Sequence, residues 1–145
     1  IMSRVAVTGA FSYTGRYLTR LLLDAGQRVV NLSNRSVPIS SSTISFSPKD
    51  LEEIHTHPLH FSDLTALARS LEGCHTLYCT YWIRFAIDGD THHKAADRVA
   101  ELFKLAKSVG VKKVVFSSHT QASIDSPFSY IAGKAQAASA LKASG

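Results

Sequence analysis

Thr8-Gly9-Ala10-Phe11-Ser12-Tyr13-Thr14-Gly15 decides how the rest of this chain is read. Ahead of the loop, Arg4-Val5-Ala6-Val7-Thr8 is a short apolar run, the pattern of a strand buried on both faces. Behind it, apolar residues fall at Tyr17, Leu18, Leu21, Leu22 and Ala25, a helical spacing stopped by Gly26. A glycine loop between a strand and a helix has a definite chemistry. Gly9 permits the tight turn, and small residues let the backbone approach a pyrophosphate. The helix N-terminus adds unpaired N–H groups and the positive end of its dipole. A glycine turn that holds no ligand is the plainer alternative, and the flanking strand and helix weigh against it.

Outward from the loop, strands and helices alternate. Arg28 to Leu32 reads as a second strand, and Ser33 to Pro48 as a Ser-rich loop with Pro38 and Pro48 and no period. A weak, polar third strand is expected near Glu53 to His57, ended by Pro58. Leu64 to Leu71 predicts a short helix closed by Gly73, and His75 to Cys79 a fourth strand. Thr91 to Val109 predicts a long helix with Ala95, Val99, Leu102, Phe103 and Ala106 on its apolar face. Val111 to Phe116 is the fifth strand, and a last helix runs from about Phe128 to Ala143. The expected fold class is α/β, a doubly wound parallel sheet whose right-handed crossovers give the strand order 3-2-1-4-5.

The bulk composition agrees with one globular domain over residues 1–145. With 145 residues, 45% of them hydrophobic, the chain can bury a core without disulfides or metals. The formal charge of +5 raises the question of nucleic acid. Arg4, Arg16, Arg20, Arg28, Arg35, Arg69 and Arg84 are scattered rather than clustered, so no nucleic-acid partner is expected. Cys74 and Cys79 match neither a zinc spacing nor CxxC and read as buried thiols of a reducing compartment. His55, His57, His60 and the pair His92-His93 lack metal-ligand spacing, and no metal is expected. No apolar run approaches the roughly 20 residues of a membrane span, so no membrane partner is expected and the cytoplasm is the expected location.

The loop resembles the TGxxGxxG motif of extended and atypical short-chain dehydrogenases/reductases, in the NAD(P)-dependent epimerase/dehydratase and NmrA-like neighbourhood. Ser12 stands where that motif has its middle glycine. Ser is small and carries a hydroxyl that could bond a phosphate, but it takes up positive φ less readily than Gly. The resemblance also rests on Asp63, on the turn Leu71-Glu72-Gly73, and on Tyr130 with Lys134. It implies a Rossmann-type domain that binds a nicotinamide dinucleotide. It further implies a C-terminal strand and a substrate-binding region that are absent here, the chain ending at Gly145 as a truncated domain. A homodimer is implied by the resemblance alone.

The nucleotide is read from the end of the second strand. Folds that hold NAD place an Asp or Glu there for the ribose 2′-hydroxyl. This chain has Asn31-Leu32-Ser33-Asn34-Arg35 instead, so NADP is favoured and NAD is less expected. Arg35 can grip a 2′-phosphate bidentately, or it can be a solvated loop arginine. Asp63 serves as a helix N-cap, as an adenine contact by the resemblance, or as both. The candidate cofactor contacts are Gly9, Phe11, Ser12, Tyr13, Thr14, Gly15, Asn34, Arg35, Asp63, Thr80 and Tyr81.

Tyr130-Ile131-Ala132-Gly133-Lys134 puts a phenol and an ammonium four residues apart on one helix face. In the family this YxxxK pair transfers a proton as hydride moves. A phenol ionises near pH 10, so the ammonium and the nicotinamide charge must assist it. Five tyrosines and eight lysines make a chance match about one in four, so it is the place after the fifth strand that gives the pair weight. The family's third participant is a Ser or Thr at that strand's end, here Ser117 or Ser118. Thr80-Tyr81-Trp82 and Phe85 either wall the nicotinamide and substrate or cover a sheet end. Two functions follow: an NADP(H)-dependent oxidoreductase or epimerase acting on a carbonyl or alcohol, with no feature naming that small-molecule substrate, or a non-catalytic NmrA-like sensor or assembly subunit.

Overall fold

The computed structural model describes residues 3–39 and 43–145, so the part of the Ser33 to Pro48 loop reading that falls on residues 40–42 lies outside the described residues. Along the chain the elements are β1 (Arg4–Thr8), α1 (Tyr13–Asp24), β2 (Arg28–Leu32), α2 (Pro48–Glu53), β3 (His55–His57), α3 (Leu64–Leu71), β4 (Thr76–Cys79), α4 (His92–Ser108), β5 (Lys113–Phe116) and α5 (Ser129–Ala143). The strands form one sheet in the order β3-β2-β1-β4-β5, parallel at every pairing. This is the expected Rossmann-type topology. Its order reverses between β1 and β4, where Val5 lies opposite Thr76 and Val7 opposite Tyr78.

Alternation along the strands divides the core. Val5, Val7 and Val29 face one layer, where they meet Phe11, Leu22 and Ile54. Ala6, Val30, Leu32, Leu77 and Cys79 face the other, against Leu67 and Leu71 of α3 and Val99, Leu102 and Phe103 of α4. Full burial of each such Val, Leu or Phe contributes about 1.5–3 kcal/mol relative to exposure. Cys74 and Cys79 are free and buried, so burial on both faces holds the sheet without a disulfide between them.

Several boundaries differ from expectation. Pro48 to Glu53 forms a helix where a loop and the start of a strand were expected, because Ser47 and Asp50 make a capping box with Pro48 in the first turn. β3 therefore begins only at His55, after the C-cap Ile54. β4 and β5 start at Thr76 and Lys113 rather than at His75 and Val111. Val111 N–H instead closes the end of α4 on the Ala106 carbonyl.

Candidate functional site

The loops after β1, β2 and β4 meet at the carboxyl edge of the sheet, where the strand order reverses. Between them lies a crevice of about 610 Å³ lined by Thr8, Gly9, Phe11, Ser12, Leu32, Ser33, Asn34, Arg35, Leu59, Thr80, Tyr81 and Trp82. Ligands of open parallel sheets bind at this topological position.

The glycine loop has the geometry that its spacing implies. Gly9 has φ +67. A Cβ on Gly15 would stand 1.8 Å from the Gly9 carbonyl oxygen, so only glycine lets α1 start this close to β1. Ser12 adopts φ −70 and ψ 173, an extended conformation open to any residue, so its replacement of a glycine strains nothing. Its hydroxyl is committed as the N-cap of α1, accepting from Gly15 N–H at 3.1 Å. Gly9 N–H donates to the Leu32 carbonyl and Ala10 N–H to Asn31 Oδ1. The amides of Phe11, Tyr13 and Thr14 have no protein acceptor among the described residues. A helix N-terminus with unpaired amides is an anion cradle.

The loop candidates divide between crevice and surroundings. Gly9, Phe11, Ser12, Asn34, Arg35, Thr80 and Tyr81 line the crevice; Tyr13, Thr14, Gly15 and Asp63 do not. Phe11 does so although its side chain is a core residue, set edge-on against Phe46 at 5.4 Å. Tyr13 is exposed and lies against the Arg16 guanidinium. Asp63 caps α3, its Oδ1 accepting from Ala66 N–H at 3.0 Å. The crevice wall on the β4 side is pinned by Thr8, whose Oγ1 accepts from Thr80 N–H at 2.8 Å and Tyr81 N–H at 3.0 Å. Thr80 Oγ1 donates back to the Thr8 carbonyl at 2.7 Å.

Tyr130, Lys134, Ser117 and Ser118 do not line the crevice themselves; Trp82 lines it and touches Tyr130 and Lys134. The Trp82 ring meets Tyr130 edge-on at 6.0 Å, and the Lys134 ammonium lies 5.6 Å from both ring centroids. Lys134 is buried and donates from Nζ to the Ser117 carbonyl at 2.9 Å. Burial pushes its ammonium below the ordinary lysine range. Ser117 N–H in turn donates to the Cys79 carbonyl, which ties the end of β5 to β4. Both Ser117 and Ser118 are exposed. Burial raises the Cys79 thiol to about 11, which removes it as a nucleophile at neutral pH.

Several neighbours escaped the sequence reading. His92, considered there only as a metal ligand, is buried at the start of α4, stacks on Trp82 and faces Tyr130 edge-on at 5.4 Å. Its Nδ1 shares a 2.7 Å hydrogen bond with Ser129 Oγ, joining the first turns of α4 and α5. His119 also meets Tyr130 edge-on, at 6.4 Å. Leu32 and Ser33, quoted only within the stretch that ends β2, and Leu59, not considered at all, also line the crevice. No signal in the sequence marks Leu59, because its place depends on how the loops converge. Among the described residues no group of three or more His, Cys, Asp or Glu could hold a metal ion, and no helix is long and apolar enough to cross a membrane.

Comparison with known proteins gives three results. Residues 5–127 match the family described as NAD dependent epimerase/dehydratase. An uncharacterized protein of Mycobacterium tuberculosis is 29% identical over 115 residues, which is 79% of this chain and 12% of that protein. Among solved structures, the triphenylmethane reductase of Citrobacter sp. complexed with NADP(H) is similar with a TM-score of 0.71 and 14% identity, over 97% of this chain and 45% of that one. A mutant NmrA is similar with a TM-score of 0.71 and 17% identity, over 99% of this chain and 42% of that one. This chain thus spans a small part of the mycobacterial relative and under half of either solved structure.

Proposed function

Because this chain belongs to the NAD-dependent epimerase/dehydratase family, we propose that it binds NADP(H) across the crevice and serves as an oxidoreductase or epimerase acting on a carbonyl or alcohol. The observation that carries this reading is the crevice itself, lined by Arg35 and by a glycine loop whose Phe11 amide has no protein acceptor among the described residues. The residues fit the group. Gly9 turns the backbone at the crevice and Gly15 lets α1 begin close behind it, so that Phe11 N–H in the crevice, with Tyr13 and Thr14 N–H at the start of α1, would supply donors to a pyrophosphate. Asn34 and Arg35 line the crevice after β2 and would meet a 2′-phosphate there, and among the described residues no carboxylate lines the crevice to repel it.

When bound, the nicotinamide gives or takes a hydride at the substrate carbon. Tyr130 then supplies the proton from its hydroxyl to the substrate oxygen in reduction, or accepts it in oxidation, so that hydride and proton together convert carbonyl to alcohol or the reverse. Lys134, held on the Ser117 carbonyl, places a positive charge beside the ring that favours negative charge on the phenol oxygen. Ser117 or Ser118 orients the substrate oxygen. Trp82 touches both members of the pair and lines the crevice, so the reacting carbon would lie at the Trp82 end of the crevice.

The test is NADPH oxidation at 340 nm against a panel of aldehydes, ketones and quinones, with the wild type and Tyr130→Phe. The expected result is turnover that falls by about 100-fold or more in the variant, the size of a lost general acid, while NADPH affinity stays unchanged. Saturable NADPH binding without turnover of any panel member would contradict the enzyme reading and leave the sensor.

A further inference from the structure

Asn31 is an amide in the middle of a parallel sheet. It sits on β2 opposite Val7 of β1 and Thr56 of β3, and it is fully buried. A polar side chain there is costly unless its hydrogen bonds are made. Oδ1 accepts from Ala10 N–H at 2.9 Å, while Nδ2 donates to the Arg35 carbonyl at 2.7 Å and to Thr56 Oγ1 at 3.2 Å. The partners fix the orientation of the amide, since Ala10 offers a proton and the Arg35 carbonyl can only accept one.

Ala10 belongs to the loop that would cradle the pyrophosphate. Arg35 belongs to the loop that would meet the 2′-phosphate. These loops follow different strands, and one short side chain bridges them. Arg35 is also held at its own N–H, which donates to Ser33 Oγ at 3.1 Å. The long, exposed guanidinium therefore starts from an anchored backbone, and less freedom is lost when it closes on an anion.

We propose that Asn31 is a positioning residue that sets the spacing between the pyrophosphate loop and Arg35, and through it the discrimination between NADPH and NADH. This rests on the dinucleotide reading above. Asn31→Leu is the direct test, being close in volume and neutral, so that it adds no charge to repel a phosphate. It leaves Ala10 N–H and the Arg35 carbonyl without this partner and frees the two loops from one another.

The dissociation constants of NADPH and NADH are measured for the wild type, Asn31→Leu and Thr56→Val. Asn31→Leu is expected to weaken NADPH about ten-fold, the size of one charge-assisted contact, and NADH far less. Thr56→Val loses only the third hydrogen bond, which reaches neither loop, and is expected to keep the wild-type ratio. Equal weakening of both dinucleotides in Asn31→Leu overturns the proposal while sparing the parent reading. Failure of the wild type to bind either overturns both. A measurement on the wild type holds even where the variant does not fold. Added 2′-AMP, which carries the 2′-phosphate without the pyrophosphate, is expected to shift the NMR signals of the Asn31 side-chain amide and the Ala10 amide. Signals that stay in place while Arg35 responds overturn the link.

Discussion

Gly15, in the first turn of α1, and Gly26, just beyond its end, are glycines for different reasons. At Gly15 a methyl group would run into the backbone of Gly9, and neither side can yield without moving β1 from α1. At Gly26 nothing lies within 4 Å, and only its φ of +78 disfavours a side chain. Gly26→Ala is expected to cost about 1 kcal/mol, the strain of a left-handed residue. Gly15→Ala is expected to cost about 3 kcal/mol or more, which lowers Tm by on the order of 10 °C. Thermal melts of the two variants check this, and equal shifts would contradict the close approach at Gly15. Ser12 shows how far single residues were legible. The sequence marks it as a departure from a glycine motif, and the backbone at that point needs no glycine. Asn31 entered the sequence reading only as part of a stretch without the acidic residue of an NAD site, since its bonds to two loops depend on their folded paths, which periodicity does not encode.

At the scale of elements, α1 is tied to α2 by charge. Arg20 of α1 donates from Nη1 to Asp50 Oδ2 at 2.7 Å and also pairs with Asp24 one turn on. Asp50 accepts from Ser47 N–H as well. The Arg20 guanidinium and these bonds lower the Asp50 carboxyl to about 2 from its ordinary 3.8. A depressed carboxyl contributes stability that is fully present above its unfolded value and is lost as pH falls through its folded one. The Tm difference between wild type and Asp50→Asn is therefore expected to be constant above about pH 5 and to shrink between about pH 4 and pH 2. A difference independent of pH would show that the carboxylate charge does not tie these helices. The helix it belongs to was missed in the sequence because six residues are too few to show a period. Ser47-Pro48 followed by Asp50 was the available signal. The longer elements were legible because each repeats its apolar spacing several times, as α4 does from Ala95 to Ala106.

For the whole molecule, sheet order was predictable because right-handed crossovers leave few arrangements, and the crevice follows from where that order reverses. The grouping of Trp82, His92 and His119 around Tyr130 was not, since it is assembled from α4, α5 and two loops far apart in sequence. The central claim is that the crevice takes NADP(H). Trp82, the chain's single tryptophan, lines it and so reports on its occupancy. The decisive measurement is equilibrium titration of the chain with NADPH and with NADH, followed by Trp82 fluorescence, for the wild type and Arg35→Ala. Saturable quenching is expected, with NADPH bound about ten-fold or more tightly than NADH and that advantage lost in Arg35→Ala. No saturable change with either dinucleotide, or tighter binding of NADH, would contradict it.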